Sequence, residues 1–421
     1  MIKHYELMSI MLNLFAGNTN VTTDGGLSDE MKTYYSDYLI DLAEPELVHD
    51  QFGQKHPIPK NGGKTIEFRK YDSLPKALTP LTEGVTPDGQ KLTMGVITAT
   101  VKQYGGFIEL SDILLLTAID NNLLQATRLL ASQAGRTLDT ITREVLNGGT
   151  NVLYAGGVLD RTLLIGGDST PANNTYLTID DVRKAVRALK VQNTQKINGD
   201  YVGIIHPDAA YDLMSDPKWV NVKTYSDPEG IYEGEIGKIE GVRFVETTEA
   251  KVFHAPDLAS DVRNLAVNGA VSASTAVVFD GTTAGVDVDE LKGRTLIFYD
   301  TTNGWQVGEV AGNTASSGTS TITLKAAITL ADNAVIYPGE AGRGGRDVYS
   351  TLIMGAEAYG VTELTGGGLQ HIVKQLGSAG TADPLNQRAT AGWKATKVAE
   401  RLVEQYMIRV ESASTFEVGA N

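Results

Sequence analysis

Residues 120–147 restrict the fold more than any other stretch, and they read DNNLLQATRLLASQAGRTLDTITREVLN. Apolar residues recur three to four positions apart along this stretch, which predicts a helix with one apolar stripe. The stripe includes Leu123, Leu130, Leu138, Ile141 and Val145. Asp120 can cap the helix and Gly148 can end it, so its expected length is about 42 Å, which is unusual in a globular domain.

A second unusual feature lies before this helix. Residues 64–71 and 93–110 both resemble long strands, and a Pro- and Gly-rich stretch of about 20 residues separates them. A loop of that length fits poorly inside a compact domain, so the pattern favours a hairpin arm that extends away from the body. Residues 60–91 contain six basic and four acidic residues, a net charge of +2. We expect this arm to contact acidic copies of the chain through Arg69, Lys70, Lys76, Glu83, Asp88 and Lys91.

The N-terminal residues predict a second arm. Residues 17–26 are rich in Asn, Thr and Gly, and a helical pattern follows over residues 28–42. Its apolar residues lie three to four positions apart, which places them on one face: Met31, Tyr35, Tyr38, Leu39 and Leu42. The short apolar run 7–15 is about half the length of a membrane span and is interpreted as part of this arm rather than as a signal peptide.

The rest of the chain predicts an α+β protein with an all-β insertion. Helical patterns near residues 182–191, after a capping stretch at 178–181, and near 207–214 alternate with strand patterns at 201–205 and 241–246. Between about residues 256 and 341, short strand-like runs recur with turn residues between them, which indicates a small all-β module. Helical and strand character then returns at 347–361, and strand-like runs close the chain.

Composition excludes several classes of function. The chain has 421 residues, no Cys and a net charge of −15, with 42% hydrophobic and 21% charged residues. The lack of Cys excludes disulfides, thiolate nucleophiles and Cys-ligated zinc. A pI of about 4.9 argues against a protein that grips phosphate backbones, because Lys and Arg make that contact. Length and composition favour a soluble, cytoplasmic chain of two or three domains.

The motifs do not predict catalysis, and no metal or cofactor is expected. Gly62-Gly63-Lys64-Thr65 resembles the end of a phosphate-binding loop, but Ile58 occupies the position of its first Gly. The six His do not have the spacing of metal ligands. His206 and Asp208 follow a predicted strand, where either a catalytic pair or, more commonly, a helix cap is found. The pattern favours a protein that binds copies of itself.

Several longer runs resemble the major capsid proteins of tailed bacteriophages, in the group related to the phage N-four capsid protein. The runs are AEPELVHDQFGQ at 43–54, PIPKNGGKTIEFR at 57–69, ALTPLTEGVTP at 77–87, AGRTLD at 134–139 and GWK at 392–394. The resemblance covers about residues 30–250 and 347–415, and the β insertion falls outside it. It implies the shell-forming fold named after phage Hong Kong ninety-seven.

The resemblance implies a division of the chain into seven parts. We expect an N-terminal arm (1–62), an extended loop (63–110), a peripheral domain (111–176) with a spine helix at 120–147, an axial domain (177–255), an inserted β domain (256–341), an axial return (342–384) and peripheral C-terminal strands (385–421). Some members of the family are crosslinked through Lys and Asn, but no motif here assigns those residues.

The implied function is that of a structural, non-catalytic subunit of an icosahedral shell that encloses double-stranded DNA. The expected partners are other copies in hexamers and pentamers, portal and scaffolding or decoration proteins, and weakly held DNA, with no membrane. Assembly is expected in the bacterial cytoplasm. Three alternatives stay open: an encapsulin-type compartment shell, a hydrolase that uses His206 and Asp208, and a surface adhesin suggested by the Thr-rich β module.

Overall fold

The computed structural model describes most of the chain after residue 47. The described residues are 48–57, 65–71, 74, 76–78, 80, 83, 84, 86, 89–92, 94–113, 122–166, 173–219, 237–259, 262–280, 286–315, 319–362, 369–378 and 384–416. The side chains of residues 70, 71 and 122–124 are not described. The predicted N-terminal helix at 28–42 therefore lies outside the described residues.

The long helix predicted from the opening stretch is present as α1 (Asn122–Asn147). It packs on a three-stranded antiparallel sheet with the order β18 (Leu369–Lys374), β19 (Arg388–Lys397) and β4 (Lys102–Ser111). Leu130 and Leu138 on the helix form one apolar cluster with Trp393 and other side chains from the facing side of this sheet. The helix therefore covers one face of the sheet, and among the described residues no other element packs on the opposite face.

The two strands predicted for the hairpin arm pair with each other, with one correction to their bounds. Strands β2 (Thr65–Tyr71) and β3 (Met94–Thr100) pair antiparallel, with Thr65 opposite Thr100 and Tyr71 opposite Met94. The run 93–110 was expected to be one strand, and this is wrong: it divides at Val101 into β3 and β4. The division arises because β3 pairs with β2 in the arm, whereas β4 pairs with β19 on the long helix.

The second core is built on a seven-stranded mixed sheet. Its order is β5 (Val152–Tyr154), β21 (Met407–Ser412), β16 (Val348–Met354), β6 (Tyr201–Ile205), β8 (Val242–Glu246) and β7 (Lys238–Ile239), with β9 (Val252–Phe253) also paired to β16. Two helices pack on this sheet, α2 (Ile179–Val191) and α3 (Pro207–Met214). The helical character expected at 347–361 is absent, since that region forms only β16 and β17 (Tyr359–Thr362). Side chains in β16 and β17 are buried throughout, which is the continuous apolar pattern of a central strand.

The all-β module predicted near 256–341 is present. Its six strands follow the order β10 (Leu265–Ala266), β15 (Val335–Pro338), β12 (Thr295–Asp300), β13 (Gly304–Asn313), β14 (Ser320–Leu330) and β11 (Val271–Phe279). A separate apolar core lies between them, with Phe279, Phe298 and Ile322 fully buried. The module is therefore a folded unit with a core of its own.

A small three-stranded sheet connects the start of the described chain to the two main bodies. It consists of β1 (Gln54–His56), β17 and β20 (Ala399–Arg401), with β1 parallel and β20 antiparallel to β17. The base of the hairpin arm packs beside it.

Candidate assembly surfaces

The base of the hairpin arm is fixed rigidly to the body. Phe68 on β2 is fully buried in a cluster that includes Leu402 and Val403. Its ring lies so close to β17 that a Cβ added at Gly360 would be 2.5 Å from Phe68 Cε1. His56 packs edge-on against the same ring, with 4.9 Å between the ring centroids. The direction in which the arm leaves the body is therefore set by close packing.

The outer part of the arm exposes apolar and charged side chains together. Leu78 is 82% exposed, and Leu74, Leu92, Met94 and Val96 are also exposed. A two-stranded hairpin is marginally stable alone, and a contiguous exposed apolar surface marks an interaction site. Of the six charged residues predicted to contact a neighbour, four have described side chains, all exposed: Arg69, Lys76, Glu83 and Lys91. The side chain of Lys70, and Asp88, lie outside the described residues.

The helix positions predicted to pack are distributed over two cores. Leu130, Leu138 and the partly buried Ile141 pack in the cluster with Trp393, whereas Val145 packs with the core around Tyr359. The side chain of Leu123 is not described. Trp393 Nε1 also donates a hydrogen bond of 3.1 Å to Gln133 Oε1 on the helix. Helix α1 therefore packs on both the β18-β19-β4 sheet and the small β1-β17-β20 sheet at the base of the arm.

A buried polar cluster joins the first described residues to the long helix. His49 is held by Asp139 through two contacts, at 2.7 Å from its backbone N to Oδ1 and 2.6 Å from its Nδ1 to Oδ2. Thr142 Oγ1 donates to Asp50 Oδ1 at 2.6 Å, and the buried Lys397 ammonium donates to Asp50 Oδ2. Burial, together with the negative charges of Asp50 and Asp139, raises the pKa of Tyr359 well above its usual value. Sequence patterns missed this cluster because its members lie 90 and 347 positions apart.

Arginines from the C-terminal strands bind the end of the long helix. Arg401 Nη1 donates to the carbonyl of Val145, and Arg409 Nη1 donates to Gly149 O at 3.1 Å. Cations at this end of a helix are favourable because its unpaired carbonyls carry partial negative charge. Glu411, fully buried, accepts from Arg409 Nε at 2.7 Å and from Arg161 Nε at 2.6 Å. The helix end is therefore fixed to the seven-stranded sheet.

The face of the three-stranded sheet opposite the helix carries a shallow apolar groove of about 600 Å³. Phe107, Gly392 and Ile372 lie side by side on adjacent strands and form its centre. Phe107 is 72% exposed and Ile372 is 41% exposed. Lys374 and Lys394 also line it. No sequence pattern marks this surface, because its residues come from three strands, two of which lie far from the third in the chain.

The His206–Asp208 pair is a helix cap. His206 Nδ1 accepts a 3.2 Å hydrogen bond from the backbone N of Asp208 and caps α3. Burial lowers the pKa of His206, partly offset by the nearby carboxylate of Asp208. Asp208 Oδ2 is itself engaged, since it accepts from Tyr349 OH at 3.0 Å. The local geometry serves to start a helix and to join it to β16.

The described residues contain neither a metal-binding cluster nor a membrane-spanning helix. Among them, no group of three or more His, Asp or Glu side chains is arranged to hold a metal ion. In the part of the chain that the structure describes, every helix is too short or too polar to cross a membrane.

Comparison with known proteins gives one family match and many structural matches. Residues 116–288 match the model of a family described as phage capsid protein. The capsid of Ralstonia phage GP4 superposes with a TM-score of 0.50 at 12% identity, over 88% of this chain and 87% of that one. The family match therefore covers about two fifths of the chain, and the superposition shows that the chain shares the fold of a phage capsid. The matched residues run from just before α1 into the β module.

Other solved structures resemble it more distantly. The capsid of cyanophage Pam1 matches with a TM-score of 0.48 at 11% identity, covering 83% of this chain and 86% of that one. No curated protein sequence matches the chain. The predicted α+β fold of the Hong Kong ninety-seven type is confirmed, and the matches support a structural, shell-forming protein.

Proposed function

We propose that copies of this chain form a closed icosahedral shell around phage double-stranded DNA, with the hairpin arm of each subunit lying over a neighbour. The observation that carries this proposal is the contrast within the arm. Its base is packed against Gly360, whereas its outer part exposes Leu74, Leu78 and Leu92. A rigid projection with an apolar surface is suited to bury that surface on another subunit.

Charge supports contacts between subunits along this arm. The arm residues 60–91 carry +2 in a chain of −15, so a neighbouring body attracts the arm. We propose Arg69, Lys70, Lys76, Glu83, Asp88 and Lys91 as contact residues on this basis. Large assembly interfaces bury thousands of Å² in total.

The proposed role of each part follows the order of the chain. Residues 63–110 contain the extended loop, residues 111–176 and 385–421 form the peripheral domain around α1, and residues 177–255 with 342–384 form the axial domain. The axial domains are proposed to meet in hexamers and pentamers. Portal and scaffolding or decoration proteins are proposed partners, and assembly in the bacterial cytoplasm is the proposed location.

The acidic composition supports a wall that does not hold DNA tightly. A subunit with 51 acidic and 36 basic residues repels phosphate backbones on average, which favours sliding of DNA during filling. A strongly basic inner surface on the assembled shell would contradict this part of the proposal.

We propose that the subunit is non-catalytic, because the one pair considered for hydrolysis, His206 and Asp208, is used for capping and for a contact with Tyr349. Replacing His206 by Ala is expected to lower the melting temperature of the subunit. No hydrolase activity is expected to be lost in this variant. A hydrolytic activity that disappears in this variant would overturn the assignment.

Electron microscopy of the purified protein tests the central proposal. Closed particles of one size are expected, and particles from infected cells should contain nuclease-protected double-stranded DNA. Particles filled with an enzyme instead of DNA would favour the compartment-shell alternative. A chain that stays monomeric at high concentration would contradict shell formation.

A further inference from the structure

The face of the three-stranded sheet that α1 leaves uncovered has the features of a docking groove. Its centre is the row of Phe107, Gly392 and Ile372 on adjacent strands. At Gly392 an added Cβ would lie 2.9 Å from both Gly106 O and Phe107 Cβ. Only glycine at this position therefore keeps the groove open between the side chains of Phe107 and Ile372. The arrangement suits an amphipathic helix laid across it.

The lysines beside the groove favour the binding of an acidic segment. Lys374 is exposed and Lys394 is partly exposed, and both line the groove. Residues 72–91 at the tip of the hairpin arm are a weaker match, since they contain three acidic and two basic residues, a net charge of only −1. The two basic residues, Lys76 and Lys91, lie next to the exposed leucines of the tip and would meet the lysines of the groove at a cost in binding energy.

The N-terminal arm contains a segment with the required chemistry. Residues 28–42 carry Asp29, Glu30, Asp37 and Asp41 against Lys32 alone, a net charge of −3. The apolar residues of the same segment share one face of the predicted helix: Met31, Tyr35, Tyr38, Leu39 and Leu42. An acidic helix with one apolar face complements an apolar groove bordered by lysines.

We propose that residues 28–42 of one subunit dock as a helix in the Phe107–Ile372 groove of a second copy. This inference rests on the proposed shell and adds a second contact between subunits, separate from the hairpin arm. The groove of the receiving subunit is formed by β4, β18 and β19, and the segment belongs to the N-terminal arm of the donor.

The position of Asp50 favours a second copy over the same chain. Asp50 contacts Lys397, which lies five residues along β19 from Gly392, a distance of about 17 Å. The groove is also on the opposite face of the sheet, so a path around its edge adds about 10 Å more. The eight Cα–Cα steps from Leu42 to Asp50, fully extended, span about 27 Å. Within one subunit the helix would therefore reach the groove only with this linker stretched to its limit, which favours a second copy.

Disulfide trapping tests this docking directly, because the chain contains no Cys of its own. In assembled particles, the variant Leu39→Cys with Ile372→Cys is expected to form at least about tenfold more disulfide-linked dimers and higher multimers than the control, because docking raises the local concentration of the two thiols. The control is Leu39→Cys with Leu159→Cys, since Leu159 is 89% exposed but lies away from the groove. Charge reversal at Lys374 and Lys394 to Glu should lower the yield of the linked product about fivefold.

Each other outcome has a defined meaning. A linked product that stays monomeric would show docking within one chain and would overturn the proposal. Efficient linkage of Leu78→Cys with Ile372→Cys would place the hairpin tip in the groove instead. Normal particles without linkage in either the Leu39 pair or a second pair, Tyr35→Cys with Ile372→Cys, would refute the docking but leave shell formation intact. A wild-type chain that forms no particles would refute shell formation itself.

Discussion

The buried carboxylate of Asp139, in the middle of α1, contacts the ring of His49 at 2.6 Å, so the segment that follows the N-terminal arm is tied to the long helix. Asp139 also accepts from the backbone N of His49 at 2.7 Å. One side chain therefore satisfies both a ring nitrogen and a main-chain donor. The contact determines where the N-terminal arm leaves the body.

Replacing Asp139 by Ala is expected to destabilise the subunit by about 3 kcal/mol, because it removes one member of a buried hydrogen-bonded pair and leaves the other unsatisfied. Urea unfolding of the unassembled subunit measures this change. The control is Asp180→Ala, whose carboxylate forms exposed ion pairs with Arg183 and Lys218. Surface pairs contribute about 0–1 kcal/mol, so equal effects of the two variants would argue against the structural importance of the buried contact.

The Asp50–Lys397 pair gives a sharper test of buried charge. Lys397→Met removes the ammonium partner of the buried Asp50 carboxylate and leaves its hydrogen bond from Thr142. The free energy of unfolding is expected to fall by about 3–5 kcal/mol, because the buried charge loses its counterion. The double variant Lys397→Met with Asp50→Leu removes both charges and should recover most of that loss. Urea unfolding of four proteins, the wild type, Lys397→Met, Asp50→Leu and the double variant, forms a double-mutant cycle. Additive effects of the two substitutions would contradict direct coupling.

Gly360→Ala is expected to loosen the base of the hairpin arm. The new Cβ would lie 2.5 Å from Phe68 Cε1, so the ring or β17 must move, at a cost of about 1–3 kcal/mol. Hydrogen exchange of peptides from β2 and β3 should increase. Gly89→Ala is the matched control, since a Cβ there meets nothing within 4 Å. Combining Gly360→Ala with Phe68→Leu should restore part of the protection.

The exposed leucines of the arm are expected to matter for assembly and not for folding. Replacing Leu74, Leu78 and Leu92 by Ser should leave the melting temperature of the subunit nearly unchanged and prevent closed shells. The control replaces Leu159, Val191 and Val288, which are exposed elsewhere, by Ser. Deletion of residues 71–91 should give the same result as the arm variant. Normal particles from either arm variant, seen by electron microscopy, would contradict the arm assignment.

Asp300 predicts an acid-sensitive contact in the β module. Desolvation alone would raise its pKa, but hydrogen bonds from the backbone of Ala331, Asn303 and Thr302 lower it to about 2. Because the pKa of Asp300 is lower in the folded state than in the unfolded state, its ionised carboxylate stabilises the fold at pH values above the unfolded pKa of 3.8. This contribution to stability disappears as the pH falls towards 2. The melting temperature of wild type should therefore exceed that of Asp300→Asn at pH 6. The difference should shrink steadily between pH 4 and pH 2, and a constant difference would contradict this origin.

The groove and the buried cluster show where sequence patterns stop being informative. Phe107 and Ile372 form one surface only because β4 and β18 pair with the two sides of β19, at positions far apart in the chain. His49 and Asp139 likewise come together only in the folded chain, as do Asp50 and Lys397. No spacing rule connects such residues, because the distances between them are set by strand pairing and not by a local period.

The sequence by itself determined the local elements. The 3.6-residue period of residues 120–147 produced α1, the alternation in residues 64–71 produced β2, and turn residues separated the strands of the β module, because these patterns depend on neighbours in the chain. Tertiary structure alone decided where the run 93–110 divides, since β3 and β4 take different partners. It also decided which charges are buried and which apolar face stays open, because both depend on which distant strands share a sheet.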